Sequence, residues 1–388
     1  MKIKIGTFNN ENLFFRYRLL SEEPKPFKKP PTPIEFESMV NQFKDIEELL
    51  KKYDDPGKVF QNKDEFDKFL NKLPNKSWIS LMTFMKGGSF ITRLKGSLED
   101  VESISHTQRS HTAEVIYKNK PDFVGVQEIE NLEVLAEFYS KFIKKHWKLP
   151  YRMLIEGNDP RGIDVGILDG KSYPVNNIIT HRYDPDPNAP AFPLFSRDCL
   201  EVDIELSNGE KLTVYTNHLK SKIGGGEQKR EDQATRIREI VENRFGKDLK
   251  GGHFIILGDL NCEPDSKELE PLLKDKKIFN VFDNLDKAER WSYLHAVFDK
   301  INPDMVKTAE VSQIDYILLS PTIKKANPNV KPEVERRGLV YYPKITEKLK
   351  KKDEEVGSVY DEVQRFPNVN KYGTEASDHC GVFISLDL

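Results

Sequence analysis

Apolar positions along the chain fall into short blocks that end in polar tips. Lys2 to Phe8 alternates polar and apolar residues, the period of a half-buried strand, and runs into NNENLF (Asn9 to Phe14). PDFVGVQEIEN holds a four-residue apolar strand, Phe123 to Val126, that ends in Gln127-Glu128. GIDVGIL (162–168), CLEVDIEL (199–206), LTVYTNHL (212–219), HFIILGDLN (253–261) and QIDYILLS (313–320) read as further strands, and SDHCGVFISLDL closes the chain on another. Helical spacing is expected over 109–118, over 132–145 and in a polar segment over 227–245. Strands separated by helices predict an α/β protein.

Two stretches break the pattern. Residues 20 to about 104 open with the Pro/Lys-rich PKPFKKPPTP, which disfavours helix and inner strand, and continue in charged helical patterns such as NQFKDIEELLKKY and KDEFDKFLNKL. Residues 324 to about 372 form a second charged insertion that includes KLKKKDEEV. Setting both aside leaves roughly 250 residues, the size of one domain rather than three. The expected organisation is therefore a single domain over 1–388 with a helical insertion at about 20–104 and a charged one at about 324–372.

The polar tips carry the candidate chemistry. They are Asn9 with Asn12, Gln127-Glu128, Asn217-His218, Asp259 with Asn261, and Asp378-His379, to which Asp315 adds a carboxylate near the start of its strand. Strand ends that converge on one sheet edge build a site from distant segments. Carboxylate and amide oxygens suit hard divalent ions such as Mg2+ or Mn2+. Two imidazoles and a spare carboxylate suit phosphoryl chemistry, which must orient water and hold phosphate charge.

Charge and composition remove several classes. The chain has 388 residues, with 60 Lys plus Arg against 63 Asp plus Glu, so its net charge is −3 and it is not a globally basic nucleic-acid binder. Cys199, Cys262 and Cys380 are far apart and form no C-x-x-C pair, which argues against a disulfide scaffold or a thiolate zinc site. No apolar run of about 18 residues occurs, so no membrane span is expected. MKIKIGTF lacks the apolar region of a signal peptide, which points to the cytoplasm.

QE after PDFVGV, GDLN after HFIIL, QIDYIL and the terminal SDH, in that order and each at a strand end, resemble the endonuclease/exonuclease/phosphatase superfamily. The resemblance covers the chain apart from the two insertions. It implies a four-layer α/β sandwich, with two mixed β-sheets packed face to face and helices outside. It also implies a metal-dependent phosphodiesterase with Mg2+ or Mn2+. Glu128 matches the principal metal carboxylate, Asn9 the asparagine that supports that metal, and Asp378 the neighbouring carboxylate. Asp259 matches the aspartate that positions or deprotonates water, and Asn261 the phosphate-contacting asparagine. His379 matches the catalytic imidazole, Asp315 the carboxylate that fixes its tautomer, and His218 a second histidine on the phosphate or leaving oxygen.

RGIDVGIL, FSRDCLEV, NHLKSK and GDLNCEPDS look like bacterial nucleases of that superfamily, and an inositol phosphatase pattern after GDxN is missing. The expected substrate is therefore nucleic acid, with DNA the expected partner. Arg161, Arg197, Asp164 and Asn217 are then candidates for contacting or orienting the substrate phosphate. Alternatives are a phosphatase or phospholipase-type phosphodiesterase on a lipid or small phosphate ester, for which WISLMTFM (78–85) would be the apolar element, and a non-catalytic interaction module. The insertions are expected to shape substrate access or to bind a protein partner.

Smaller features have plainer readings. Gly224 to Gly226 lacks the GK[ST] of a phosphate loop and reads as a flexible loop. Lys220, Lys222, Lys229 and Arg230 beside it suit either a nucleic-acid backbone or a solvated basic face. Trp291 and Tyr293 read as core residues.

Overall fold

The computed structural model describes residues 2–13, 15–18, 97–102, 104–159, 161–170, 173–222, 225–298, 306–339, 364–370 and 373–388. The chain divides into two compact units. One comprises Met1–Leu13, Ile104–Asp159 and Ile163–Leu388, and the other Phe14–Ser103 with Pro160–Gly162. In the second unit the described residues form an antiparallel pair, Phe15–Arg18 with Ser97–Glu102. WISLMTFM and the helical patterns expected between 41 and 73 lie outside the described residues.

In the first unit the expected strand segments are joined by short strands that the pattern did not mark, and twelve of its strands build the two main sheets: β1 (Lys2–Leu13), β2 (Phe123–Ile129), β3 (Tyr151–Leu154), β4 (Asp164–Asp169), β5 (Val175–Ile179), β6 (Cys199–Glu205), β7 (Lys211–His218), β8 (His253–Asp259), β9 (Phe279–Asn280), β10 (Asp315–Leu319), β11 (Glu333–Glu335) and β12 (Gly381–Asp387). They form two six-stranded sheets, ordered β11-β12-β1-β2-β4-β3 and β9-β10-β8-β7-β6-β5. Each sheet has one parallel pair, β1 with β2 and β7 with β8, flanked by antiparallel neighbours. A parallel pair needs a crossover. Helix α1 (His106–Asn119) precedes β2, and α3 (Glu227–Phe245) joins β7 to β8. Between them α2 (Leu132–Phe138) continues into a π-helical turn, Tyr139–Ile143.

Residue alternation assigns the faces. Ile3 and Ile5 of β1, Val165 and Ile167 of β4, Val202 and Ile204 of β6, Ile255 and Leu257 of β8, and Val382 and Ile384 of β12 belong to one buried cluster between the sheets. The intervening residues Tyr215, Phe254, Ile256, Tyr316 and Leu318 pack with Ala234, Ile237, Val241 and Phe245 of α3 on the outer face of the second sheet. On the outer face of the first sheet, a Cβ placed at Gly166 would meet Leu135 of α2, and one at Gly381 would meet Val115 of α1. The result is the four-layer sandwich expected above: helices, sheet, sheet, helices. Among the described residues no helix is long and apolar enough to cross a membrane.

Polar caps set the helix ends. Ser105 accepts from the Gln108 amide while the Gln108 side chain accepts from Ser105 N–H, a reciprocal cap that starts α1, and Lys120 in the left-handed region stops it just before Pro121. Part of the segment expected as the second insertion belongs to the sheet. Glu333–Glu335 is already an edge strand of the first sheet, and residues 340–363 lie outside the described ones.

Candidate active site

The two parallel pairs bring their C-terminal ends to a common edge. β1 delivers Asn9 opposite Gln127 of β2, and β7 delivers His218 opposite Asp259 of β8. The antiparallel neighbours start where these end. Asp259 faces Asp315, the first residue of β10, and His379 lies just ahead of β12. His218, Asp259 and Asp315 fall in step with Val214, Leu257 and Ile317, the inter-sheet residues of their strands, so all three point between the sheets.

Glycine permits the close approach. A Cβ at Gly258 would lie 1.9 Å from the Asn217 carbonyl oxygen, and the residue sits at φ +130°. A Cβ at Gly125 would lie 2.4 Å from Leu257 of the opposite sheet. The GD of GDLN therefore presses β8 against β7 beneath the site.

A bulge shapes the other wall. Between the pairs Asn9/Gln127 and Leu13/Ile129, three residues of β1 face the single residue Glu128. Glu11, Asn12 and Glu128 all take positive φ there, at 49°, 60° and 62°. Such conformations cost energy in non-glycine residues and persist where surrounding contacts fix them. The Glu128 carboxylate accepts the Asn12 N–H at 2.8 Å, and the Glu11 carboxylate accepts the Asp378 N–H at 3.1 Å. The bulge thus groups Glu11, Glu128 and Asp378 in one acidic set. Burial pushes the Asp378 carboxyl up to about 6, with Glu128 adding to the rise and His379 opposing it. Burial also lifts Glu11 well above the ordinary range, with Asp378, Glu375 and Glu128 contributing.

Asp259 is the hub. Its Oδ1 accepts the Asn261 N–H at 2.8 Å, and its Oδ2 accepts Asn9 Nδ2 at 3.1 Å and Asn261 Nδ2 at 3.3 Å. His218 Nε2 stands 3.4 Å and His379 Nε2 3.9 Å from the same Oδ2. Burial pushes the Asp259 carboxyl up to about 7, His379 pulling it down and Asp315 and Glu128 adding to the rise. His379 Nδ1 lies 2.9 Å and 3.1 Å from the two Asp315 oxygens. The Ser292 hydroxyl donates to Asp315 at 2.8 Å and accepts the Asp315 N–H, so both oxygens and the orientation of the carboxylate are fixed. Burial opposes charge on the imidazole, but Asp315, then Asp378 and Asp259, outweigh it and hold its pKa well above the ordinary histidine value. Nε2 stands 3.8 Å from Asp378. The Tyr293 ring packs 4.6 Å from the imidazole.

Asn9, Glu128, His218, Asp259, Asn261, Asp315, Asp378 and His379 therefore meet at one edge. Some hold different partners from those the motifs suggest. The Asn9 amide spans the Glu11 N–H and Asp259, so it aligns the hub. Asn261 bridges Asp259 to the Leu219 carbonyl, and its φ of 54° makes the turn after β8. Asn217 is on the outer face of β7, where its Nδ2 bonds the Tyr215 carbonyl. Arg197 is buried, pairs with Asp159 at 3.2 Å and bonds the Leu219 carbonyl that Asn261 also uses. Asp164 accepts the Gly157 N–H at 2.7 Å, and burial pushes its carboxyl up to about 7. Arg161 is an exposed residue of the second unit.

Four further residues had no strand-tip signal strong enough to find them: Glu11, Ser292, Tyr293 and Ser377, whose hydroxyl joins the Asn9 carbonyl to the His379 N–H. NNEN contained the signal for Glu11, but only the bulge turns a residue two beyond Asn9 toward Asp378. Trp291 is a core residue under the Arg336 guanidinium, as expected, whereas Tyr293 belongs to the site. Arg230 is likewise buried. Its guanidinium bonds the carbonyls of Lys220, Ser221 and Gly225, Cys262 Sγ and the Glu268 carboxylate.

Two sets of side chains have metal-ligating chemistry. Asp259, Asp315 and His379 each offer one donor atom within 4.8 Å of the others. In that set the His379 and Asp315 donors already hydrogen-bond each other, which suits a dyad better than chelation. Glu11, Glu128 and Asp378 are oxygen donors, and the Glu128 charge adds to the raised pKa of both Glu11 and Asp378, a repulsion that a divalent cation relieves.

No curated protein matches the chain. Among solved structures, TDP2 from C. elegans is 14% identical with a TM-score of 0.49, covering 95% of this chain and 99% of that one. A mannosyl-6-phosphatase from Bacteroides thetaiotaomicron is 14% identical (TM-score 0.48; 72% and 91% covered), and the human Nocturnin catalytic domain 13% identical (TM-score 0.46; 73% and 87% covered). The family model described as Endonuclease/Exonuclease/phosphatase family matches residues 99–388, a span that contains every strand of both sheets except β1. Nucleases, phosphodiesterases and phosphatases are among its members, most of which are hydrolases that use divalent metals. With that match over most of its length, the chain belongs to the endonuclease/exonuclease/phosphatase family.

Proposed function

We propose that the protein is a divalent-metal-dependent phosphodiesterase that hydrolyses DNA phosphodiester bonds. One observation carries this reading: two imidazoles converge on a single oxygen of the buried Asp259, beside an acidic set placed by the β1 bulge. His379, held by Asp315, presents a charged Nε2–H to a phosphate oxygen, where charge spreads in the transition state. Asp259, pushed to about 7, is poised to align a water and take its proton near neutral pH. His218 supplies a second donor for the phosphate or the leaving oxygen. Asn9 and Asn261 fix the Asp259 carboxylate, and Arg197 steadies the Leu219 carbonyl that Asn261 uses.

Glu128 and Asp378, with Glu11 beside them, would hold Mg2+ or Mn2+ through oxygen. When bound, the cation neutralises charge on the phosphate. A cytoplasmic setting accompanies this reading.

The test is purified protein, with Mg2+ or with EDTA, on single- and double-stranded DNA, abasic DNA, RNA and a water-soluble lipid phosphate, with end chemistry read out and an Asp259→Asn control. Faster turnover of the lipid phosphate than of any oligonucleotide, or full activity in EDTA, would reject the reading.

A further inference from the structure

β5 and β6 are antiparallel, and Ile179 pairs with Glu201, two residues after Cys199, which itself pairs with Asn217 beside His218. The chain between β5 and β6, residues 180–198, therefore emerges at the catalytic edge. It forms a small hairpin, Pro185–Asp186 with Ala189–Pro193. The base of the hairpin is anchored. Leu194 and Phe195 are buried, Asn158 Nδ2 bonds the carbonyls of both Arg182 and Phe195, and Gln233 and Lys229 bond the carbonyls of Leu194 and Pro193. From Phe195 to Cys199 is four residues, a reach of at most about 14 Å.

This rigid base carries rings that the core does not use. Of the six exposed large apolar side chains among the described residues, four lie in 178–192, and the two most exposed are Tyr183 at 74% and Phe192 at 67%. The Arg182 guanidinium lies 5.0 Å from the centre of the Tyr183 ring. An aromatic face backed by a guanidinium, on an anchored segment that leaves the sheet at the catalytic edge, suits the stacking of nucleobases. Duplex DNA hides its base faces, so the matching ligand is a single strand. An anionic lipid surface would ask for a basic face, yet the hairpin carries Asp184 and Asp186, and Lys229 is tied to Asp186. Stacking needs ring faces rather than net charge.

Resting on the nuclease reading above, we propose that Tyr183 and Phe192 form a stacking platform for bases of single-stranded nucleic acid adjoining the scissile phosphate, with Arg182 reinforcing the Tyr183 face. The platform makes single-stranded DNA, or a frayed end, the preferred form of substrate.

The experiment compares wild type with Tyr183→Ala, Phe192→Ala and the double variant on two fluorescein-labelled single-stranded 12-mers. One is ordinary DNA. The other carries base-free spacers around the cleaved phosphate, so that phosphates remain and bases do not. Each alanine should raise KM on the ordinary 12-mer by about tenfold, the scale of losing one stacked base. The loss should shrink strongly on the base-free 12-mer, and Tyr183→Trp should restore binding where Tyr183→Leu does not. Both residues are exposed, so folding is checked simply by thermal melting.

Equal losses on both 12-mers, no loss on either, or alanine variants that lose binding to phosphatidylserine vesicles instead would overturn the platform. A wild type that cleaves oligonucleotides while the variants match it removes the platform alone. A wild type that cleaves no nucleic acid removes the nuclease reading and the platform with it.

Discussion

Replacing His379 by Ala removes one preorganised donor, whose Nε2 stands 3.9 Å from Asp259 and 3.8 Å from Asp378. Loss of a donor aimed at developing charge costs about 10²- to 10³-fold in kcat, or about 3–4 kcal/mol. Asp315→Asn should fall in the same direction for a different reason. It keeps the shape of the contact but removes the charge, so burial, which opposes the imidazolium, lowers the His379 pKa. The falling limb of the kcat–pH profile should then move to lower pH, a shift that a merely structural role would not produce. The double variant should be no worse than about its more damaged single, since the two residues act as a unit. His218→Ala should add its own loss, because it reaches Asp259 independently.

The same pair bears on stability. A histidine pKa raised by folding contributes stability that is complete below about 6.5, the unfolded value, and is lost as pH rises through the folded one. Single-turnover cleavage of a labelled oligonucleotide across pH 5 to 10 measures the kinetic effects, with circular dichroism as the folding control. Additive losses for Asp315 and His379, or a wild-type rate from His379→Ala, would refute the dyad.

Glu128→Ala should weaken Mg2+ affinity at least tenfold, read by activity titration and by calorimetry of the metal alone, and EDTA should abolish activity reversibly. Gly258→Ala should destabilise by about 3 kcal/mol or more, because its Cβ would lie 1.9 Å from the Asn217 oxygen; urea melts will show whether the strand instead yields without cost. Asp164 is held up to about 7 mainly by burial, so the folded form takes up its proton before the unfolded chain does, and stability should decline between about pH 4 and 7. Asp164→Asn should flatten that decline, and an unchanged slope in urea melts at pH 4, 6 and 8 would count against it.

Much of the frame was legible because it depends on local periodicity. Alternation in Lys2 to Phe8 and the apolar run HFIIL specify strands whatever surrounds them, and the 227–245 helix has its observed limits. Short edge strands were not legible. Tyr151–Leu154, Val175–Ile179 and Glu333–Glu335 carry no full apolar period, and pairing with a neighbour already in place makes them strands. Residues 132–145 read as one helix, but the structure passes into a π turn at Tyr139.

At the site, the sequence by itself determined which residue types stand at strand ends, because a strand that stops at a sheet edge is free to finish in polar side chains. It also determined that these types suit oxygen-ligated metal and phosphoryl chemistry. Tertiary structure decided which atoms meet. Alternation sent Asn217 outward and His218 inward, and the three-against-one bulge turned Glu11 toward Asp378. Ion pairing drew Arg197 to Asp159, burial lifted the Asp259 carboxyl, and the neighbouring carboxylates, Asp315 first, raised His379 against its burial. Those outcomes depend on contacts between residues as far apart as Asn9 and Asp259, and such contacts exist only when both sheets have closed over their shared core.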